Sequence, residues 1–375
     1  MDSKSPDRAR EISNIDVDRR ELLKSSVLGV GGAALLGAAG TLDAGASPRK
    51  AAKEDSSRID THAHYFPTQY LERLDSYGAA KLTVAAHRLT VSNQEPKNLD
   101  ARFKMMDRAG IEMQIISCSN VFPYFESEVH AVDAARLAND LYADLIRQYP
   151  TKFAAFTCTP LPHVDASLKE IRRGLDELGM VGVTVATFAL GKSIADPAFE
   201  PIFAELNRRK AVVFIHPTGG GGGSQVLDTT KLVWPIGAPL EDSIILLQFI
   251  QQDYPRRYPD MKVIIPHLGG FAPFLMTRFD QFRDQYMAKD FAMPSAQAKY
   301  FWYDTVNGNP DALRCACETL DSDKIMLGTD FPYWVDDAFQ AEIDYVKQPG
   351  MPAHVEQAVY GANARRLLGL KAAHA

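Results

Sequence analysis

Four histidines and one aspartate stand at the ends of short β-rich runs, and their types suit one divalent metal ion. His62 and His64 are two residues apart, so a strand turns both to the same side. His216, His267 and Asp330 each close a different run. Three imidazoles (His62, His64, His216) and one carboxylate (Asp330) form a donor set that suits Zn2+ first, with Mn2+ or Co2+ next. His267 follows Ile264-Ile265-Pro266 and precedes Gly269-Gly270. It is either a fifth ligand or, the preferred reading, a neutral imidazole beside the metal that works as acid and base on water whose pKa the ion lowers toward about 7.

Those side chains need a frame that gathers them from distant parts of the chain. Eight strands are expected at Ser57–His64, Ile111–Ser117, Phe153–Thr159, Val181–Thr187, Ala211–His216, Met261–His267, Tyr300–Val306 and Lys324–Asp330. Most are largely apolar, as expected of strands covered on both faces. Amphipathic stretches separate them, at Val129–Gln148, Asp165–Leu178, Asp196–Arg209, Glu241–Gln252, Ala272–Met287, Asp311–Leu320 and Val355–Leu368. Alternating strands and helices predict an α/β fold, a (β/α)8 TIM barrel, whose chemistry sits at the C-terminal ends of its strands. The rival is a doubly wound open sheet, which opens on a Gly-rich phosphate turn. Here the first strand ends in His-Ala-His instead. The long stretch Tyr65–Leu99 predicts a small inserted strand at Val84–Val91, and Gly219–Gly223 predicts a flexible lid or surface loop.

Composition narrows the function classes. The chain has 375 residues, 46% hydrophobic content and a net charge of −6, so it can bury a large core and shows no basic footprint for nucleic acid. Four cysteines do not make a disulfide framework. Cys118 and Cys158 fall in or beside core strands and predict small buried hydrophobes, while Cys315 and Cys317 form C-x-C on an expected helix. The N-terminus differs from the rest. Arg19-Arg20 precedes the Gly/Ala-rich apolar run Ser25–Ala39, followed by Ala44-Gly45-Ala46. This predicts a twin-arginine signal over residues 1–46, a linker over 47–56 and a barrel over 57–375. The expected destination is the periplasm or beyond, without a stable membrane anchor, since the run is short and glycine-laden.

The anchors Ile59-Asp60-Thr61-His62-Ala63-His64, Phe214-Ile215-His216-Pro217, Pro266-His267-Leu268-Gly269-Gly270 and Gly328-Thr329-Asp330-Phe331-Pro332 resemble the amidohydrolase superfamily. The branch they resemble holds aminocarboxymuconate semialdehyde, 6-methylsalicylate and γ-resorcylate decarboxylases. The resemblance runs from about Ser57 to Leu370 and includes the closing Gly361–Leu368. It implies one Zn2+ or Mn2+ held by His62, His64, His216 and Asp330, with His267 as catalytic acid/base and Asp330 as a proton relay in salicylate-type members. The strand Val181–Thr187 has no lysine for a bridging carboxylate, which the resemblance translates into one metal rather than two. It further implies substrate binding by Arg278, reaching across a homodimer interface, and by Arg88, whose match is looser.

Two reactions fit these parts. The first is non-oxidative decarboxylation of an aromatic or unsaturated carboxylic acid. The second is metal-dependent hydrolysis of a lactone, ester or amide. Release of CO2 without added water separates them. A non-catalytic small-molecule barrel is a third reading, and it would turn over neither substrate when fully loaded with metal. Aromatic residues in the loops (Phe122, Tyr124, Phe125, Phe188, Trp234, Tyr333 and Trp334) point to a flat apolar partner.

Overall fold

The computed structural model describes residues 58–370. The expected signal segment and linker lie outside the described residues. Eight parallel strands run in sequential order: β1 (Arg58–His64), β2 (Ile111–Ser117), β3 (Phe153–Cys158), β4 (Gly182–Ala186), β5 (Val212–His216), β6 (Lys262–Ile265), β7 (Trp302–Asp304) and β8 (Ile325–Met326). The sheet closes on itself. Thr61 N donates to Leu327 O at 2.8 Å, Asp330 N donates to His62 O at 2.9 Å, and Ala63 bridges Phe331 in parallel. The fold is a (β/α)8 TIM barrel.

Sequential parallel pairing follows from the sequence pattern. The strand interiors of β3, β4, β5 and β6 are buried on both faces, so neither side requires polar alternation. Ile115, Phe156, Phe214, Ile264 and Met326 form one cluster that fills the barrel. A larger cluster lies between the strands and the surrounding helices. Of those helices, α1 (Pro96–Ala109) precedes β2, α2 (Glu128–Gln148) follows it, and α3 (Val164–Asp176) follows β3. The helix α4 (Ala238–Gln251) follows β5, α5 (Ala272–Phe282) follows β6, and α6 (Asp336–Asp344) follows β8. By length and composition the helical run Val233–Gln251 could cross a membrane, yet half of it is buried in the fold, with Ile245, Leu246, Phe249 and Ile250 in the core.

Two expectations need correction. Val84–Val91 is not a strand. It forms two 3-10 turns, Ala86–Arg88 and Thr90–Ser92, after a short helix at Ala80–Thr83. With no neighbouring strand to pair, the backbone closes its own bonds: Leu89 N donates to Ala86 O and Ser92 N to Leu89 O, both at 3.0 Å. Burial falls on Thr83, Ala86 and Ser92, a spacing in threes that suits this helix type. The inserted β element lies instead after β4, where Phe188–Ala189 pairs antiparallel with Lys192–Ser193. Leu190 and Gly191 turn between them, both at positive φ, as a two-residue hairpin requires.

The second correction concerns strand ends. The strand β6 stops at Ile265 and β8 at Met326, so His267 and Asp330 stand in the turns beyond. Both have left-handed backbones, at φ 52° and 57°. A non-glycine residue takes that conformation at a cost, and such residues gather where a side chain must be aimed. Glycines make these turns feasible. At Gly270 (φ 64°) a Cβ would sit 2.0 Å from Pro239 O. At Gly328 it would sit 2.9 Å from the Cβ atoms of both His62 and Asp304. The chain can pass the site there only without a side chain.

Candidate metal centre

His62 and His64 project from β1 and His216 from the end of β5. Asp330 reaches in from the turn after β8. One ligand atom from each lies within 4.8 Å of every other. His62 Nε2 is 3.4 Å from Asp330 Oδ1, and His64 Nε2 is 2.8 Å from it. Two donors bound to one ion at about 2.1 Å each stand roughly 3–3.5 Å apart, so this spacing suits neighbours in one coordination sphere.

The surrounding bonds set the protonation of two ligands. His216 Nδ1 lies 2.8 Å from Pro217 O. A carbonyl only accepts, so Nδ1 carries the hydrogen and Nε2 keeps its lone pair. His62 Nδ1 lies 2.8 Å from the buried Asp304 Oδ2, which fixes the same tautomer. His62 Nε2, His64 Nδ1 and His216 Nε2 are all buried without a hydrogen-bond partner. Burial pulls the pKa of His64 down, and pulls that of His216 well down. Burial alone would raise Asp330, but its bond to His64 and the neighbouring imidazoles hold its carboxyl below the ordinary range. The Nε2 lone pair of His216, the Nε2 atoms of His62 and His64 and an ionised Asp330 carboxylate face one point, as metal donors must. The four residues fit one divalent cation.

A cavity of about 570 Å³ opens over this cluster. His216, His267 and Asp330 line its polar side, and Trp234, Tyr333 and Trp334 its flat apolar side. Of the aromatic residues singled out in the sequence, Phe122, Tyr124, Phe125 and Phe188 are not in this lining. The Tyr124 hydroxyl accepts from Ala186 N, at the end of β4, at 3.0 Å. The loop Gly219–Gly223 is tied to the fold at its start. Glu241 accepts from Thr218 N at 2.6 Å and from the hydroxyl of Thr187.

The family model described as amidohydrolase matches residues 59–370. The chain belongs to the amidohydrolase family. It is 26% identical to the 2-amino-3-carboxymuconate-6-semialdehyde decarboxylase of Dictyostelium discoideum over 84% of this chain and 92% of that one. It is also 26% identical to the 6-methylsalicylic acid decarboxylase of Penicillium expansum, over 83% and 96%. Among solved structures, the 5-carboxyvanillate decarboxylase of Novosphingobium aromaticivorans, complexed with manganese and 4-hydroxy-3-methoxy-5-nitrobenzoic acid, superposes with a TM-score of 0.72. That match covers 85% of this chain and 97% of the other at 20% identity, which speaks to the fold.

In this amidohydrolase His267 stands beside the four-residue cluster, its ring centroid 5.2 Å from that of His62. It is outside the set of mutually close donors. Its Nδ1 lies 2.8 Å from Asp242 Oδ2, and Asp242 is fully buried on α4. Burial pulls the imidazole down, but the Asp242 charge and hydrogen bond outweigh it and lift His267 to about 9. Burial also pushes Asp242 up, to about 6, against the pull of His267. Asp242 thus favours the protonated form of the His267 imidazole.

The two arginines lie elsewhere. Arg88 is exposed and lines a separate cavity of about 650 Å³, which shares Tyr333 with the first. Arg278 is exposed on α5 and stacks on Phe282, 4.7 Å from the ring centroid, outside the cavity of its own chain. His87 pairs with Asp75 at 2.8 Å, and His163 lies 2.9 Å from Phe125 O.

Sequence reasoning missed the supporting acids. Asp304, Asp242 and Asp60 are fully buried. A charged residue inside an apolar strand, or at the head of an apolar helix, was the signal available for each. Asp60 accepts from His62 N and Thr329 N, both at 3.1 Å, and from Gln114 Nε2 at 2.8 Å. Gln114 in turn accepts from Arg102 Nε at 2.7 Å, while Arg102 Nη1 donates to His64 O at 3.0 Å. This buried chain ties the two-histidine strand to the turn that presents Asp330.

Proposed function

We propose that this amidohydrolase is a mononuclear metal-dependent decarboxylase of a flat aromatic or unsaturated carboxylic acid. The carrying observation is His267, hydrogen-bonded to the buried Asp242 and set beside His62, His64, His216 and Asp330 at the foot of an aromatic-lined cavity. The relatives above are decarboxylases of such acids, and they support the reading.

His62, His64, His216 and Asp330 would hold the ion, Zn2+ by donor type and Mn2+ as the alternative. When bound, a divalent cation supplies the positive charge that orients the acid's oxygens and offsets negative charge as CO2 departs. Trp234 and Trp334, on the cavity wall, would pack against the substrate ring. As the bond to the carboxyl carbon breaks, its electron pair stays on the substrate carbon. His267 delivers a proton to that carbon, and Asp242 stabilises the charged donor until transfer.

The finer proposals rest on separate observations. Homodimer formation, with Arg278 contributing to the partner's site, is supported by the exposed face of α5, where Phe271, Phe274 and Phe282 flank Arg278 and Phe274 is 85% exposed. Arg88 would meet substrate from the neighbouring cavity through Tyr333. Export is supported by Arg19-Arg20 and the apolar run behind them. The test is metal analysis of the purified chain with mass-spectrometric assay of hydroxybenzoates and of lactones. CO2 release at about one metal per chain is expected. Lactone or ester turnover with untouched acids overturns the proposal.

A further inference from the structure

Among the described residues lining the cavity, two carry a buried side-chain polar atom without a hydrogen-bond partner: His216 Nε2 and Glu342 Oε2. The first fits the ion. The second has no role in the mechanism above. Glu342 lies on α6, the helix after the Asp330 turn, and lines the same cavity as His267, Trp234 and Trp334. Its other oxygen packs against the Gly308 backbone, where a Cβ would come within 3.0 Å of Oε1. The hydroxyl of Tyr333 is no donor for Glu342, because it is spent on Asn120 Oδ1 at 2.9 Å.

A carboxylate oxygen shielded from water and lacking a donor is costly, and the cost is removed when a ligand brings the donor. Ionised, the group can only accept. We propose that Glu342 is a specificity-determining residue: its Oε2 accepts a hydrogen bond from a hydroxyl or amino group of the bound acid. The substrate class is then a hydroxy- or amino-substituted flat carboxylic acid, which deepens the decarboxylase reading and rests on it. The electrostatics agree. Burial, with the Asp330 charge adding to it, pushes the Glu342 carboxyl up to about 7 against the Asn307 amide. No donor near it is strong enough to offset its desolvation.

The test is binding, which needs no turnover. Matched pairs of hydroxy- and methylbenzoates, substituted ortho, meta or para, are titrated by calorimetry into metal-loaded protein at pH 8. Wild type is expected to bind the hydroxyl member of at least one pair about 10–10²-fold more tightly, the range expected of a hydrogen bond to a charged group. Glu342→Leu should lose that preference and gain affinity for the methyl member. Glu342→Gln, which keeps an acceptor oxygen, should retain part of it. An unchanged hydroxyl-to-methyl ratio in Glu342→Leu, or no binding of any benzoate to wild type, overturns the proposal. CO2 release from the same acids is scored separately. Its absence with the binding preference intact overturns the decarboxylase reading and leaves the Glu342 assignment standing.

Discussion

Asp304 Oδ2 takes the Nδ1 hydrogen of His62 at 2.8 Å, while its Oδ1 takes the backbone N–H of His267 at 2.9 Å. One buried carboxylate thus fixes the tautomer of a metal-site imidazole and the turn that presents the acid/base. Carboxylates behind ligating histidines commonly contribute 10–100-fold in metal affinity. Asp304→Ala is expected to weaken metal binding by about that factor. Competition against a chromophoric chelator measures it, and an affinity equal to wild type refutes the coupling.

His267 carries a different expectation. His267→Ala should keep close to one metal per chain and lower kcat by about 10²–10⁴, the usual contribution of a positioned proton donor. Elemental analysis alongside steady-state kinetics decides. Loss of the metal would make His267 a ligand rather than an acid.

Asp242 sets the pH window of that acid. The carboxylate lifts His267 to about 9, so the protonated donor is present below that pH and vanishes as the pH rises through it. In Asp242→Asn the largest charge opposing burial is gone and only the Asp304 and Asp330 charges still oppose it, which shifts the balance toward the neutral imidazole. The alkaline limb of kcat/KM should therefore move down by more than one pH unit. A limb that stays in place would mean that the proton comes from another group.

Arg102 tests the frame rather than the chemistry. It is fully buried, bonded to Gln114 and His64 O, with its guanidinium 4.5 Å from the Phe331 ring centroid. Removing one member of a buried polar network strands the others, so Arg102→Ala should destabilise the fold by about 3–5 kcal/mol in denaturant unfolding. Arg102→Met keeps packing against the aromatic faces and should lose less. Equal losses in the two variants would assign the effect to the hydrogen bonds alone.

The histidine pair on β1 was legible because strand periodicity is local: two residues apart means one face, whatever the rest of the chain does. His216 was legible for a similar reason, as the last residue of an apolar run. The alternation of strands and helices carried the barrel, since short parallel strands buried on both faces have few other ways to close. Long-range closure was not visible. His267 and Asp330 were expected on strands, but left-handed turns aim them, and those turns exist because Gly270 and Gly328 pass within contact of Pro239 O, His62 and Asp304. Val84–Val91 has the composition of a strand and no strand beside it to pair with, so its backbone bonds locally.

The sequence by itself determined the donor types, their placement after strands and the barrel that would gather them. These depend on residue chemistry and periodicity, which act over a few residues. Only the tertiary structure decided which acids stand behind the histidines. Asp304, Asp242 and Glu342 gain their roles from neighbours far away in the chain. A carboxyl group's protonation and its partners depend on burial and through-space charge, and neither is a property of its position in the sequence.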